Sequence, residues 1–208
     1  MAADPNPFRE KFLFIDEAVF VNSLLETAVK SIDNYNACSL NKFYKMKEIL
    51  TQLAAYNIWA NQLLLDAIYL LPEEKYKQEI PSSFNSLFNT VLHMLDAESI
   101  WWQRMKLQER IIRPSEHITS DMKDAGNALL NQNRQWAEWI SSANEHQLHH
   151  VFQYQNTKKE QFKQPIYQML LHALNHGTYH RGQLVNMLRQ LGVEQIPGTD
   201  FIAWSRRK

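Results

Sequence analysis

MLLHALNHGTYHRGQLVNMLRQL, residues 169–191, is the stretch whose reading decides the fold. Met169, Ala173, Leu184, Met187 and Leu191 recur at helical steps and form one apolar stripe. Continuing that stripe through its gap lands on His176 and His180. With His172 they make a trio at four-residue spacing, and residues four apart lie about 40° apart around a helix. Neighbouring members therefore share a face. Two imidazoles stand where core residues are expected, and buried there they require a metal, a hydrogen-bonding partner or a ligand.

The rest of the chain is consistent with a helical protein. It has 208 residues, enough for one domain or one domain with an extension. Only 5 Gly and 7 Pro occur, and the long periodic segments contain almost none, which disfavours a sandwich or barrel. The 22 basic and 22 acidic residues cancel, and the longest basic run is the terminal Arg206-Arg207-Lys208, so no nucleic-acid surface is expected. Cys38 is the only cysteine, which excludes an internal disulfide and a thiolate metal cluster. The most apolar stretch, 53–71, is broken by Asn57, Asn61, Gln62 and Asp66, and the start has acids where a signal peptide has bases. No membrane partner is expected, and a cytoplasmic location is.

Periodicity predicts a helix over 10–34, on Phe14, Ala18, Val21, Leu25, Val29 and Ile32. A second runs over 40–71 to Pro72, after Ser39 as cap. Ser83 or Asn85 opens a third that continues to about residue 109, with His93 and Asp96 beside its seam. Thr119 or Ser120 caps a fourth over about 121–142. Residues 143–163 read as polar and irregular, with a short period-2 hint at Val151, Gln153 and Gln155. Pro165 fits the first turn of the histidine helix, and Gly192 fits its C-terminal cap. The fold class is all-α: a four-helix bundle over 45–208 with an N-terminal helical extension over 1–44.

His-x3-His on one helix places two imidazoles within reach of one ion at about 2.0–2.1 Å. His93, near the seam of another helix, offers a third. A carboxylate-bridged di-metal bundle needs Glu-x-x-His pairs, which the chain lacks, so a mononuclear site is the better reading. His172 competes as a ligand, but it lies about 80° from His180 around the helix. Asp96 and Glu98 are candidates to accept the outward N–H of a ligating imidazole. Gln183 is a candidate to point at the site, whereas Arg181 is expected to pair elsewhere in the bundle. Asn57, Trp59 and Asn61 are candidates to line a cofactor pocket. His146, His149 and His150 read as a solvent-exposed loop cluster.

Four ordered segments carry a resemblance. LLHALNHGTYHRGQL (170–184), YNIWANQLLLDAI (56–68), SLFNTVLHMLDAESIWWQRM (86–105) and LGVEQIPGTDFIAW (191–204) resemble the DinB/YfiT-like metalloprotein family, not the DNA polymerase that shares the first name. The resemblance spans about 45–208 and implies up-down-down-up connectivity. It also implies a divalent ion held by three histidines, which fall by position on His93, His176 and His180. Zinc or nickel is expected first, with iron and manganese as alternatives. Relatives include thiol-dependent S-transferases, which implies activation of a low-molecular-weight thiol, or of water, for attack on a small electrophile. The alternatives are a metal-dependent hydrolase and a non-catalytic metal-binding stress-response protein. A small-molecule substrate and a homodimer are the expected partners.

Overall fold

The computed structural model describes residues 46–118, 121–156 and 158–207, together with Lys30. The expected extension over 1–44, with its helix over 10–34, lies outside the described residues apart from Lys30. Helix α1 runs through 46–69, and Pro72 then caps the short α2, Glu73–Tyr76. Helix α3 is Leu87–Met105 and α4 is Met122–Ser142. A one-turn α5, Glu145–His149, precedes the strands β1, Val151–Gln155, and β2, Gln161–Pro165. Helix α6 is Ile166–Gln190 and α7 is Phe201–Ser205.

Two apolar clusters reveal how the helices run. One joins Leu64, Leu65 and Ile68 of α1, Leu87 and Val91 of α3, Met122 and Leu129 of α4, and Leu184 and Met187 of α6. That end gathers the finish of α1 and α6 with the start of α3 and α4. The other joins Leu50 and Ala54, Trp136 and Ile140, and Met169 and Leu170, with Trp101 and Trp102 against it. The connectivity is therefore up-down-down-up. Parallel α3 and α4 require a return over the length of α3, about 28 Å at 1.5 Å per residue. The intervening segment 106–121 reaches that easily. It is pinned on the way: Gln103 exchanges two amide hydrogen bonds with Ile112, at 2.7 and 2.9 Å, and Asp96 accepts from the Ser115 backbone N–H and hydroxyl.

Helix starts differ from the expected ones by short steps with physical causes. Ser86, rather than Ser83 or Asn85, caps α3 by accepting from the Asn89 N–H. Asn85 instead takes a left-handed turn at φ 57°, which Asn tolerates. Helix α3 then stops at Met105, four residues short of the expected end, where Leu107 turns left-handed at φ 54°. Asp121 caps α4 through the Lys123 and Asp124 N–H groups, in place of Thr119 or Ser120. Gly192, at φ 84°, closes α6 as expected.

Residues 143–163 depart furthest from the irregular reading. Asn144 and Gln147 form a reciprocal capping box for α5, and an antiparallel hairpin follows. Its register sets Tyr154 opposite Phe162, and Phe152, Tyr154 and Phe162 stack in a ladder of rings. Pro165 ends β2 and caps α6, one residue before the first turn in which it was expected. Among the described residues, no helix is long and apolar enough to cross a membrane.

Candidate metal centre

His93 comes from α3, and His176 and His180 from α6. One ring nitrogen from each lies within 4.8 Å of the others. The Nε2 atoms of His176 and His180 are 3.1 Å apart. Two imidazole nitrogens bound to one tetrahedral ion at about 2.0–2.1 Å sit roughly 3.3 Å from each other, so this pair is already at ligand spacing. His180 is buried, whereas His93 and His176 are half-buried and border solvent.

The surroundings favour lone pairs over charge. Burial pushes the imidazoles of His93 and His176 down to about 4, and the neighbouring His180 adds to the effect. Burial also lowers His180, against an opposing hydrogen bond from Gln183. That bond sets the tautomer: the Gln183 carbonyl can only accept, so His180 Nδ1–H donates to it at 2.7 Å. His180 Nε2 then turns its lone pair toward His176. Phe84, placed by the Asn85 turn, stacks on His93 with ring centroids 3.8 Å apart and meets the edge of His180 at 5.6 Å. Three neutral nitrogen donors with a solvent-facing side suit a divalent cation, by the chemistry of the donor set.

The other candidates fall elsewhere. His172 is exposed, with its ring against Trp101 at 5.2 Å and 5.8 Å from the His176 ring, and it is outside the cluster of three. Asp96 serves the Ser115 turn. Trp59 packs against Tyr56 and under the Arg207 guanidinium, beside the C-terminal α7. His146 and His150 are exposed, and His149 packs on Tyr167.

Asn57, Asn61 and Glu98 join a buried polar layer between the two apolar clusters. Glu98 accepts from Asn57 at 3.2 Å and from Asn133 at 2.5 Å, and Asn61 donates to Asn133 at 2.8 Å. Arg181 donates to Asn57, to Asn61 at 3.0 Å and to Thr178 at 2.7 Å. All four long helices contribute, and Arg181 pairs within the bundle as expected. Gly177 lets α1 come close: a Cβ there would meet Asn57 Oδ1 at 3.0 Å. Burial raises the Glu98 carboxyl to about 7, against the pull of its two Asn bonds and of Arg181. Phe84, Asn133 and Thr178 escape the sequence reading. Only Asn133 left a trace there, four residues after Leu129 and three before Trp136 on an apolar stripe.

Comparisons with known proteins agree with this picture. The sequence profile of the DinB family matches residues 45–206. The Protein DinB of Bacillus subtilis (strain 168) is 29% identical over 165 residues, covering 75% of this chain and 93% of that relative. Among solved structures, a DinB-like protein from Bacillus cereus ATCC 10987 superposes with a TM-score of 0.58 at 22% identity, over 73% of this chain and 95% of its own. YfiT from Bacillus subtilis superposes with a TM-score of 0.53 at 17% identity, over 73% of this chain and 89% of its own. It is described as a probable metal-dependent hydrolase with an unusual four-helix bundle topology. At such identities the structural likeness concerns the fold.

Proposed function

The chain belongs to the DinB family, and from that premise we propose that it is a divalent-metal-dependent enzyme acting on a small molecule. His93, His176 and His180 would hold the ion. The observation that carries this reading is three neutral imidazole nitrogens, from two helices, within 4.8 Å of one another. Among the described residues no carboxylate or thiol joins that set, whereas structural zinc sites close with four protein ligands. A bound divalent ion supplies Lewis acidity, bringing a coordinated water or thiol toward ionisation near neutral pH.

The chain's own residues do the rest. Gln183 orients His180, Phe84 covers one side of His93, and the half-buried His93 and His176 leave a route for a small ligand. The first reading is transfer of a low-molecular-weight thiol to an electrophile: a carbon–sulfur bond forms, the thiol proton passes to solvent, and the electrophile releases its leaving group. The second is hydrolysis, favoured by the description of YfiT. Stoichiometric loss of free thiol with product marks the first, and turnover without thiol marks the second.

Metal content of the untagged protein tests the site. Wild type is expected to carry about one ion per chain, lost in His93→Ala and His176→Ala and kept in His172→Ala. Zinc and nickel are the first metals to try in reconstitution, then iron and manganese. An ion that survives His93→Ala but not His172→Ala moves the site. No ion after reconstitution sinks the enzyme reading.

A further inference from the structure

Arg104 lies eleven residues after His93 on α3, about 20° away around the helix and about 16 Å along it. The two residues share an edge of the α3–α6 pair. A chain of rings connects that edge: His176 meets His172 at 5.8 Å, His172 meets Trp101 at 5.2 Å, and the Arg104 guanidinium lies 4.9 Å from the Trp101 ring. From the hairpin, Tyr154 stands 5.7 Å from the same guanidinium and 5.0 Å from Trp101, and its hydroxyl donates to Gln164 at 2.7 Å.

This guanidinium is half-buried, and its nitrogens still border solvent. Among the described residues no carboxylate lies within ion-pairing distance, and no hydrogen bond reaches it. Burial lowers its pKa, yet an arginine stays charged at neutral pH. Ring contacts take up no N–H donor in a hydrogen bond, so the guanidinium fork remains for an acceptor, and that fork matches carboxylate and phosphate oxygens. The donors border a cleft of about 580 Å³, lined also by Gln153, Tyr154, Asn156 and Ile111, with the exposed carboxylate of Glu109 at its wall.

We propose that this cleft is the far end of the substrate site, where Arg104 binds the carboxylate or phosphate of an elongated small molecule whose reacting end lies at His93, His176 and His180. The reacting end rests on the metal-centre reading, whereas the anion pocket stands on its own geometry. Tyr154 and Trp101 pack against the guanidinium, and Gln153 and Asn156, each already giving one amide N–H to Gln161 and Glu160, have a second N–H for the remaining oxygens.

The experiment uses the full chain, 15N-labelled and free of metal in EDTA, titrated separately with inorganic phosphate and with succinate. Saturable shifts are expected at the Trp101 indole and the Gln153 and Tyr154 amides, with the tighter probe identifying the anion class. Arg104→Gln is expected to weaken binding roughly tenfold or more, Arg104→Lys less, and Glu109→Gln to tighten it about twofold. Unchanged affinity in Arg104→Gln, or no saturable shift with either anion, overturns the proposal. Should the Arg104 variants fail to fold, an unchanged affinity in Glu109→Gln overturns it instead. A second titration, on zinc-loaded protein, compares mercaptoundecanoate with 2-mercaptoethanol. Arg104→Gln is expected to weaken the first and spare the second; equal effects break the link between the two ends. Failure of zinc to load condemns the metal reading alone, because the anion titration needs no metal.

Discussion

Arg181 and Arg104 both lose water to this bundle, and their surroundings treat them in opposite ways. Arg181 sits in the central layer, where Asn57, Asn61 and Thr178 accept from its two terminal nitrogens, only its Nε is left without a partner, and Glu98 lies one Asn away. Arg104 sits at the α3–α6 edge, against rings that accept nothing in its plane. The same edge holds three imidazoles kept neutral by burial. A polar group that has spent its hydrogen bonds inside the protein specifies how helices meet. One that has not is available to a ligand. The central layer thus belongs to the fold, and the edge holds the groups on which the proposed function rests.

The largest effect that separates the two regions is on stability. Arg181→Ala removes the centre of a network spanning four helices and strands the carbonyl oxygens of Asn57 and Asn61. Each buried acceptor left unsatisfied costs about 1–3 kcal/mol, and two are stranded here. In urea unfolding with chelator present, Arg181→Ala is expected to lose that much, and His176→Ala less than about 1 kcal/mol. Equal losses would show that the edge is structural too.

The two regions also titrate with opposite signs. Burial raises Glu98 from its ordinary 4.5 to about 7. Between those values the folded chain holds a proton that the unfolded chain has released, so stability falls as pH rises through the window and levels off above it. For His93 and His176, lowered from 6.5 to about 4, the unfolded chain holds the extra proton. Their contribution is complete above about 6.5 and is lost as pH falls toward 4. At about 1.4 kcal/mol per pKa unit, the Glu98 part amounts to at most about 3–4 kcal/mol. Unfolding midpoints between pH 5 and 8, in chelator, are expected to rise with pH in Glu98→Gln relative to wild type. They are expected to fall with pH in the His93→Asn/His176→Asn double variant. Parallel profiles in all three proteins would contradict this assignment of signs.

What the sequence made legible follows the same division. Apolar stripes with few Gly or Pro announce long helices, because periodicity reports which face is buried. Two imidazoles interrupting the stripe of α6 mark a candidate site, because polar rings there require a metal, a hydrogen-bonding partner or a ligand. Asn57, Asn61 and Glu98 stand on stripes as well, but their partners depend on how four helices are rotated against each other, and spacing within one helix does not carry that. Asn133 continues the stripe of Leu129 and Trp136, but the polar run Asn131-Gln132-Asn133-Arg134 around it masks that trace. The hairpin is held by rings from both of its strands, so neither strand alone shows an apolar alternation strong enough to declare it. Phe84 reaches His93 only because Asn85 turns left-handed, and Arg104 reads as an ordinary helix arginine until Tyr154 arrives from the hairpin.

The smallest effect concerns Gln183, the point at which the open site depends on a fixed hydrogen bond. Its carbonyl accepts from His180 Nδ1, and its amide donates to the Tyr179 hydroxyl at 3.3 Å and the Ser83 hydroxyl at 3.4 Å. The amide bonds fix which end of the side chain faces the imidazole, and the carbonyl bond fixes which imidazole nitrogen keeps its lone pair. Gln183→Ala frees His180 to rotate and to exchange tautomers without touching any of the three ring nitrogens. Removing a hydrogen-bond partner of this kind costs about 10–100-fold in metal affinity. Zinc affinity measured by competition with a chromophoric chelator is expected to fall toward the lower end of that range, because two other histidines remain. Gln183→Glu, which retains an acceptor, is expected to recover most of the loss. If both variants bind zinc as tightly as wild type, His180 is held by its packing against Phe84 and Tyr179 rather than by Gln183. If both lose the ion outright, Gln183 does more than orient His180, and the set of three ligands is incomplete.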